Sequence, residues 1–326
     1  MVDPTNPDPR VLQQAAQVLR RGGLVAFPTE TVYGLGARAL DQAAVQRIYA
    51  AKGRPGWNPL IAHVLDAHMA QRDVVSSWPP LAETLARAFW PGPLTLVLPR
   101  QDRVPPNVSA GLPSVAVRAP AHPVARELIR LLDEPVAAPS ANRFMAISPT
   151  TADHVEKGLG EAVDILLDGG PANVGVESTV VDLTSSPPRV LRPGGITLDA
   201  LRAAAPQVTF ITAAEVVDGE ARASPGQVRK HYAPKAHVIL VPHGDVGGWR
   251  SALATAAQPV GTLSFTLQSS APTVVHLPLD PVAAQAALYG ALHQLEDAGC
   301  ATVVVEEPPA GPDWDAVRDR LSRAGA

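Results

Sequence analysis

Cationic side chains stand beside small polar ones at several points in the first two hundred residues, and that pairing suits an anionic ligand. The run KGRPGWNPLIAHV sets Lys52 and Arg54 near Asn58, two fixed charges and an amide donor that match a polyphosphate. Taken alone, the pair also fits a solvated helix end, and His63, inside the apolar LIAHV, also fits a satisfied core residue. SVAVRAP places Ser114 and Arg118 four residues apart on an expected strand, hence on one face. An arginine there needs an anion, either a carboxylate of the chain or a bound substrate. FPTETVYGLG offers the hydroxyls of Thr29, Thr31 and Tyr33, while Gly34 and Gly36 permit close backbone approach. After PVAAP, the run SANRFMAISPTTADHV brings Ser140, Asn142 and Ser148 ahead of an expected helix N-terminus, which favours an anion. VESTVVDL adds Ser178 and Thr179, and VLRPGG adds Arg192. A nucleoside triphosphate plus a small amino acid is the simplest ligand pair with matching needs. Turn and capping duties explain any one cluster, but poorly explain all of them.

Other chemistries lack their carriers. There is no G-x-x-x-x-G-K-[ST], no H-E-x-x-H and no G-x-S-x-G, so the common phosphate cradle, zinc-protease helix and serine-hydrolase elbow are out. GLGARA from Gly34 to Ala39 is only an imperfect dinucleotide fingerprint and follows a polar loop. One cysteine, Cys300, excludes an intrachain disulfide and a cysteine zinc cluster; it is expected as a small buried residue opening the strand ATVVVEE. No stretch approaches the roughly 20 apolar residues of a membrane span, and MVDPTNPDPR lacks the features of an export signal, so a cytoplasmic protein without membrane contact is expected. Net charge is -4, with nineteen Lys/Arg and nineteen Asp/Glu up to Val208, then eight against twelve. The electrostatic footprint of tight nucleic-acid binding is missing, so stable docking on RNA or DNA is not expected.

Helix and strand patterns alternate around these clusters. VLQQAAQVLRRGG has helical spacing and stops on paired glycines before the strand LVAFPT; DQAAVQRIYAAK, with Asp41 as N-cap, precedes LIAHV; PPLAETLARAFW precedes PLTLVLP. SVAVRAP, the helix HPVARELIRLL, PVAAPSAN, AVDILLDGG, ESTVVDL and the helix TLDALRAAA complete one α/β domain over residues 8–206. Each polar cluster follows an apolar strand, so the clusters are expected to converge at one sheet edge. Across residues 207–235 periodicity fades into Gly, Pro and charge, as in a linker. From 236 to 326, HVILVPH, GTLSFTL, TVVHLPL and ATVVVEE read as strands, with alanine-rich helices near Gly248 to Ala257 and Ala283 to Ala298 and a last helix near Trp314. That is a small doubly wound α/β pattern.

FPTETVYGLG, KGRPGWNPL, PSVAVRAP, PSAN, SPTTADHV, GVESTVVDL and VLRPGG together resemble the YrdC-type domain of threonylcarbamoyl-AMP synthases. SPGQVRKHYAP followed by a second α/β unit is similar to the two-domain form of that family. The resemblance implies a twisted, open YrdC-like α/β domain with a large basic cavity, joined by a linker to a smaller Rossmann-like α/β domain. It implies synthesis of threonylcarbamoyl-adenylate from L-threonine, bicarbonate and ATP, with pyrophosphate released and the product passed to a tRNA threonylcarbamoyl transferase. Carried over motif by motif, the threonine site is Thr31, His63, Arg118, Ser140 and Ser178. The ATP site is Lys52, Arg54, Asn58, Ser114, Asn142, Ser148, Arg192 and Tyr232, with His231 close by. Lys52 and Arg54, aided by Arg192 and by magnesium held mainly through substrate phosphates, are expected to neutralise charge as the carbamate of threonine attacks the α-phosphate. Two departures stand out: Phe144 and Met145 where the family usually has Ser-Gly, and Gln227, Val228, Arg229 and Lys230 where its linker usually reads Met-x-Tyr-Arg. The linker is expected to act as a lid with Tyr232 over the nucleotide, the bland alternative being a spacer. Two rival readings are a carbamoyl-adenylate-forming maturation factor, whose cysteine-rich zinc modules a single cysteine excludes, and a non-catalytic RNA-binding module, which the charge distribution does not favour.

Overall fold

The computed structural model describes residues 8–206, 209, 211–212, 225–226, 231–267, 269, 271 and 273–326. Most of the expected linker, including Gln227, Val228, Arg229 and Lys230, lies outside the described residues. Among the described residues ten strands form a mixed sheet: β1 (Val25–Phe27), β2 (Gly34–Arg38), β3 (Ile61–His63), β4 (Leu94–Pro99), β5 (Ser114–Arg118), β6 (Val136–Ala137), β7 (Ile165–Leu166), β8 (Thr179–Asp182), β9 (Arg189–Arg192) and β10 (Ile211–Thr212). Their order is β10-β9-β8-β4-β5-β3-β6-β2-β1-β7. β10 falls within the stretch expected as a linker, and it runs parallel to β9 beside Arg189 and Val190, covering an edge that would otherwise be bare.

Local chemistry sets where the polar residues point. Helix Gln42–Lys52 starts where the Asp41 side chain accepts the N–H groups of Ala43 and Ala44 at 3.0 and 3.1 Å. It stops at Gly53, whose φ of +61° is left-handed and suits glycine. The chain then folds back, Arg54 N donating to Tyr49 O at 3.0 Å, so Lys52 and Arg54 leave the helix end together. In the centre of the sheet, Ile61 is registered with Ala116 and His63 with Arg118. By the two-residue period these four side chains share one face. The apolar core fixes that frame: Leu12, Leu19, Phe27, Leu35, Leu98, Leu128 and Val136 are all buried.

A second, fully parallel sheet contains β11 (His237–Val241), β12 (Val260–Ser264), β13 (Val274–His276) and β14 (Thr302–Glu306) in the order β11-β14-β12-β13. Helices Val246–Thr255, Pro281–Asp297 and Asp315–Ala324 accompany it, and Cys300 is buried beside β14 as a free thiol. Its core of Phe265, Leu288, Leu292, Val303 and Trp314 continues through Tyr232 into Val32, Ile147 and Val176 of the larger unit. Gly175, at φ +76°, lies so close to helix Pro281–Asp297 that a Cβ there would sit 2.5 Å from the Ala286 Cα. The two units therefore share a packed boundary. No helix among the described residues is long and apolar enough to cross a membrane.

Candidate active site

The polar clusters do converge, but across the face of the central strands rather than at one sheet edge. Ile61 and His63 of β3 and Arg118 of β5 line one cavity together with Thr31, Ser140 and Ser178 from loops at different ends of the sheet. The mixed topology is the reason: β6 runs antiparallel to β3, and β4 antiparallel to β5, so turns from both ends can fold over the same face. All five residues expected for threonine line this cavity, as do Arg54, Arg192, His231 and Tyr232 from the expected nucleotide set. Lys52, Asn58, Asn142 and Ser148 stand behind the wall, and Ser114 lies at the start of β5 opposite Pro99, away from the cavity lining.

The floor is an ordered hydrogen-bond chain. The Thr29 hydroxyl donates to Val32 O at 2.6 Å and is 2.8 Å from the Thr31 hydroxyl, so Thr31 is the donor in that pair. Thr31 in turn accepts from Arg118 Nη1 at 2.8 Å. Arg118 Nη2 donates to Glu30 Oε1 at 2.6 Å and its Nε to Gly92 O at 3.2 Å. The carboxylate partner is thus within the chain, and Arg118 also lines the cavity with a hydrogen left on each Nη. Burial would raise the Glu30 carboxyl, but Arg118 outweighs it and holds the group below its ordinary range. His63 is pushed down to about 3 by burial and by Arg118, so its ring is neutral. Its Nδ1 lies 3.1 Å from Ile61 O; a carbonyl can only accept, so Nδ1 carries the proton and Nε2 is left as an acceptor.

Among the described residues, three cations at the site have no carboxylate hydrogen-bonded to them. Lys52 Nζ donates to Ser140 O at 2.6 Å and closely to Asn142 O, stapling the loop that forms one wall. Arg54 donates through Nε to Asn58 O at 3.0 Å and through Nη2 to Asn58 Oδ1 and Pro59 O at 2.6 and 2.7 Å, leaving Nη1 uncommitted to these groups. Arg192 holds Ser178 O through Nε and Nη2 at 3.1 and 2.9 Å and reaches Pro225 O at 3.4 Å. Burial, with the neighbouring charge of Arg54, drives Lys52 well below its usual value, and burial brings Arg54 down to about 10. Among the described residues, Asn58 Nδ2, Asn142 Oδ1 and His231 Nδ1 are buried without a hydrogen-bond partner, which is rare for native polar groups.

Pro225, Gly226, His231 and Tyr232 close over this site. With them in place the cavity is about 50 Å³, well under the ~300–1,000 Å³ of ordinary ligand pockets and too small for a nucleotide. A Cβ on Gly226, at φ +85°, would lie 2.5 Å from the Tyr232 hydroxyl and 2.8 Å from Arg192 Cδ. The departure at Phe144 and Met145 also lies here. Met145 takes a left-handed φ of +71°, a conformation glycine adopts more readily, and its carbonyl accepts Ala233 N at 3.0 Å. The Phe144 ring stands edge to face with Trp57 and His231 at 6.3 and 5.9 Å, so the substitution puts an aromatic beside the cover.

Sequence reasoning missed Glu177, although it quoted the motif containing it. This residue lines the cavity, and its oxygens are held by Ser148, Tyr289 and Arg320. It also missed Thr95, whose hydroxyl is 2.7 Å from Ser178 Oγ. Among the described residues no group of three or more His, Cys, Asp or Glu side chains is placed to hold a metal ion.

Comparison with known proteins points one way. A family model described as telomere recombination matches residues 17–194, and one described as the C-terminal domain of threonylcarbamoyl-AMP synthase matches residues 196–326. The threonylcarbamoyl-AMP synthase of Bacillus subtilis is 40% identical over 329 residues, spanning 97% of this chain and 93% of its own. That of Pyrococcus abyssi is 50% identical over 228 residues, spanning 70% of this chain and 66% of its own length. The crystal structure of P. abyssi Sua5 complexed with L-threonine matches with a TM-score of 0.89 at 39% identity, over 98% of this chain and 95% of that one.

Proposed function

The chain belongs to the threonylcarbamoyl-AMP synthase family, and from that premise we propose that it converts L-threonine, bicarbonate and ATP to threonylcarbamoyl-AMP and pyrophosphate, the activated intermediate for threonylcarbamoyl-adenosine formation in tRNA. One observation carries the reading: Lys52, Arg54 and Arg192 are buried around a single cavity, and among the described residues each is hydrogen-bonded only to neutral oxygens. Burying that much positive charge without an anion is expensive, and a polyphosphate supplies the anion. In this reading residues 8–206 form the pocket, 207–235 its cover and 236–326 the small parallel-sheet unit.

The amine of threonine adds to carbon dioxide with loss of a proton, or to bicarbonate with loss of water, to give a carbamate, whose oxygen attacks the α-phosphorus of ATP. The bond to the bridging oxygen breaks, and pyrophosphate leaves with its electron pair. Arg118 takes the amino-acid carboxylate with the Nη hydrogens that Glu30 and Thr31 do not use, and neutral His63 accepts the side-chain hydroxyl at Nε2. Arg54 and Arg192 contact the phosphates, with His231 and Tyr232 from the same cavity on the nucleotide; Asn58, Asn142 and Ser148 behind the wall, and Ser114 at the start of β5, reach it only once the cover is displaced, and Lys52 contributes its field. No side-chain nucleophile is needed, because two anions held together against neutralising charge already meet the demands of the reaction.

Both carboxylates beside the cavity are committed, Glu30 to Arg118 and Ala121 N, Glu177 to Ser148, Tyr289 and Arg320. The side chains thus offer magnesium no ligand set, and the ion belongs to the nucleotide as part of the substrate. The product passes to a tRNA threonylcarbamoyl transferase, which fits a chain whose net charge is -4 rather than strongly basic. Pyrophosphate release from ATP, followed while threonine and bicarbonate are omitted in turn, tests the reading. Release is expected only with both present, and release that continues without threonine sinks it.

A further inference from the structure

A carboxylate and an arginine that the chemistry above leaves unused meet where the two units join. Glu177 Oε1 accepts from Ser148 Oγ at 2.5 Å, while Oε2 accepts from Tyr289 OH at 2.9 Å and from Arg320 Nε at 2.7 Å. Tyr289 and Arg320 come from helices Pro281–Asp297 and Asp315–Ala324 of the small unit. Arg320 is 1% exposed; its Nη1 also donates to Pro193 O at 3.0 Å and to Asp319. Its guanidinium carbon lies 5.1 Å from the centre of the Tyr232 ring, and Tyr289 stands 5.9 Å from the same ring. A single side chain thus touches the carboxylate in the cavity wall, the backbone next to Arg192 and the aromatic residue of the cover.

We propose that Arg320, supported by Tyr289, is a positioning residue of the active site: the small unit supplies both to fix Glu177 and to seat Tyr232, so the site is incomplete without it. This rests on the synthase reading above. An unneutralised carboxylate in the wall would repel the carbamate and the phosphates, and Arg320 cancels it. Position is passed on as well. Ser178, the next residue, holds Arg192 through its carbonyl and its hydroxyl. There is no slack between them and the following loop, since a Cβ on Gly194 would be 2.3 Å from Glu177 O and 2.5 Å from the Ser178 carbonyl carbon. A shift of Glu177 therefore moves Arg192. The groups facing Glu177 are Arg320 and Tyr289 from the small unit, Arg192 from β9, Ser148 from the wall, and His231 and Tyr232 from the cover. Burial pushes the Glu177 carboxyl up, yet Arg320, Arg192 and the Ser148 hydrogen bond leave it at about 2. With Arg320 gone only Arg192 and the Ser148 hydrogen bond still oppose that push, so the carboxyl rises toward the working range.

The test uses full-length Arg320→Met, Arg320→Lys, Glu177→Gln and the Arg320→Met/Glu177→Gln pair. kcat/KM for threonine and for ATP is measured from about pH 5 to 8, alongside threonine affinity by calorimetry and thermal melting. Arg320→Met is expected to lose about tenfold or more in kcat/KM and to gain a further acidic limb, beyond the one that protonation of the threonine amine gives the wild type. Adding Glu177→Gln should abolish that limb while leaving part of the loss, because Tyr232 still lacks its seat. If Arg320→Met does not fold, the double variant, which buries no unpaired charge, and Arg320→Lys, which keeps the charge but not the fork, carry the test: both should stay below wild-type turnover. Folded Arg320 variants with wild-type kcat/KM and pH profile overturn the proposal, as does a further limb that persists in the double variant. A wild type that makes no threonine-dependent pyrophosphate instead refutes the functional reading; unchanged threonine affinity in Arg320→Met would then overturn the positioning role separately.

Discussion

Valine in place of threonine removes one hydroxyl at nearly constant shape, and the structure sets what that should cost. β3 and β5 place His63 in register with Arg118, so an amino acid whose carboxylate lies on Arg118 has its side chain beside the imidazole. His63 is neutral with Nδ1 committed to Ile61 O, so Nε2 is an acceptor that the threonine hydroxyl satisfies and valine cannot. The substrate oxygen accepts in return from a hydroxyl at the cavity, Ser140 or Ser178. Two buried hydrogen bonds left unmade cost about 1–3 kcal/mol each. A total of roughly 2–6 kcal/mol is a ~30- to 20,000-fold preference in kcat/KM. The assay is pyrophosphate release with each amino acid varied at saturating ATP and bicarbonate. His63→Leu should cut the preference by about 5- to 150-fold, the worth of one of the two bonds, since the acceptor is then gone from both complexes. A wild-type ratio below about tenfold, or a His63→Leu variant with the full ratio, would refute this placement of the hydroxyl.

Other outcomes follow from the same geometry. Arg54→Ala and Arg192→Ala should each weaken ATP binding by about 1.5–3 kcal/mol, the worth of lost charge-assisted hydrogen bonds, with smaller effects on threonine; calorimetry giving unchanged ATP affinity in both would remove them from the site. Gly226→Ala forces a Cβ into contact with the Tyr232 hydroxyl and Arg192 at a left-handed φ, so adenylate formation should fall by about tenfold, and adding Tyr232→Phe should recover only part of it. Wild-type turnover in Gly226→Ala would make the cover dispensable. His63 titrates near 3 in the folded chain against an ordinary 6.5, so its contribution to stability is complete above about pH 6.5 and is lost as pH falls toward about 3. Melting temperatures should therefore decline less steeply with acid in His63→Gln, and an identical decline would show that the ring is not buried neutral.

Local signals carried the sequence reading a long way. Asp41 as a cap and the alternation of helix and strand each act within a few residues, and the structure places those elements as expected. The small parallel sheet was equally legible, because its strands are short apolar runs between alanine-rich helices. What could not be read was register and partnership at long range. That Arg118 would meet Glu30, or that the face of β3 rather than a sheet edge would carry the site, depends on strand pairing that no local pattern encodes. Arg320 was the least visible residue: in DAVRDRLSRA it resembles any solvated charge on a terminal helix, and only packing against Glu177 and Tyr232 gives it a role. Glu177 itself sat in a quoted motif, and its signal was an acidic residue among groups otherwise chosen for anions.

The central claim is attack on the α-phosphorus by a carbamate oxygen that came from bicarbonate. Bicarbonate labelled with oxygen-18, freshly mixed with threonine, ATP and the full-length chain, tests it most directly through the nucleotide products. The account predicts pyrophosphate and threonylcarbamoyl-AMP, and AMP carrying one labelled oxygen once water attacks the carbamoyl carbon of that product. ADP with labelled inorganic phosphate would place the attack on the terminal phosphate and contradict the account.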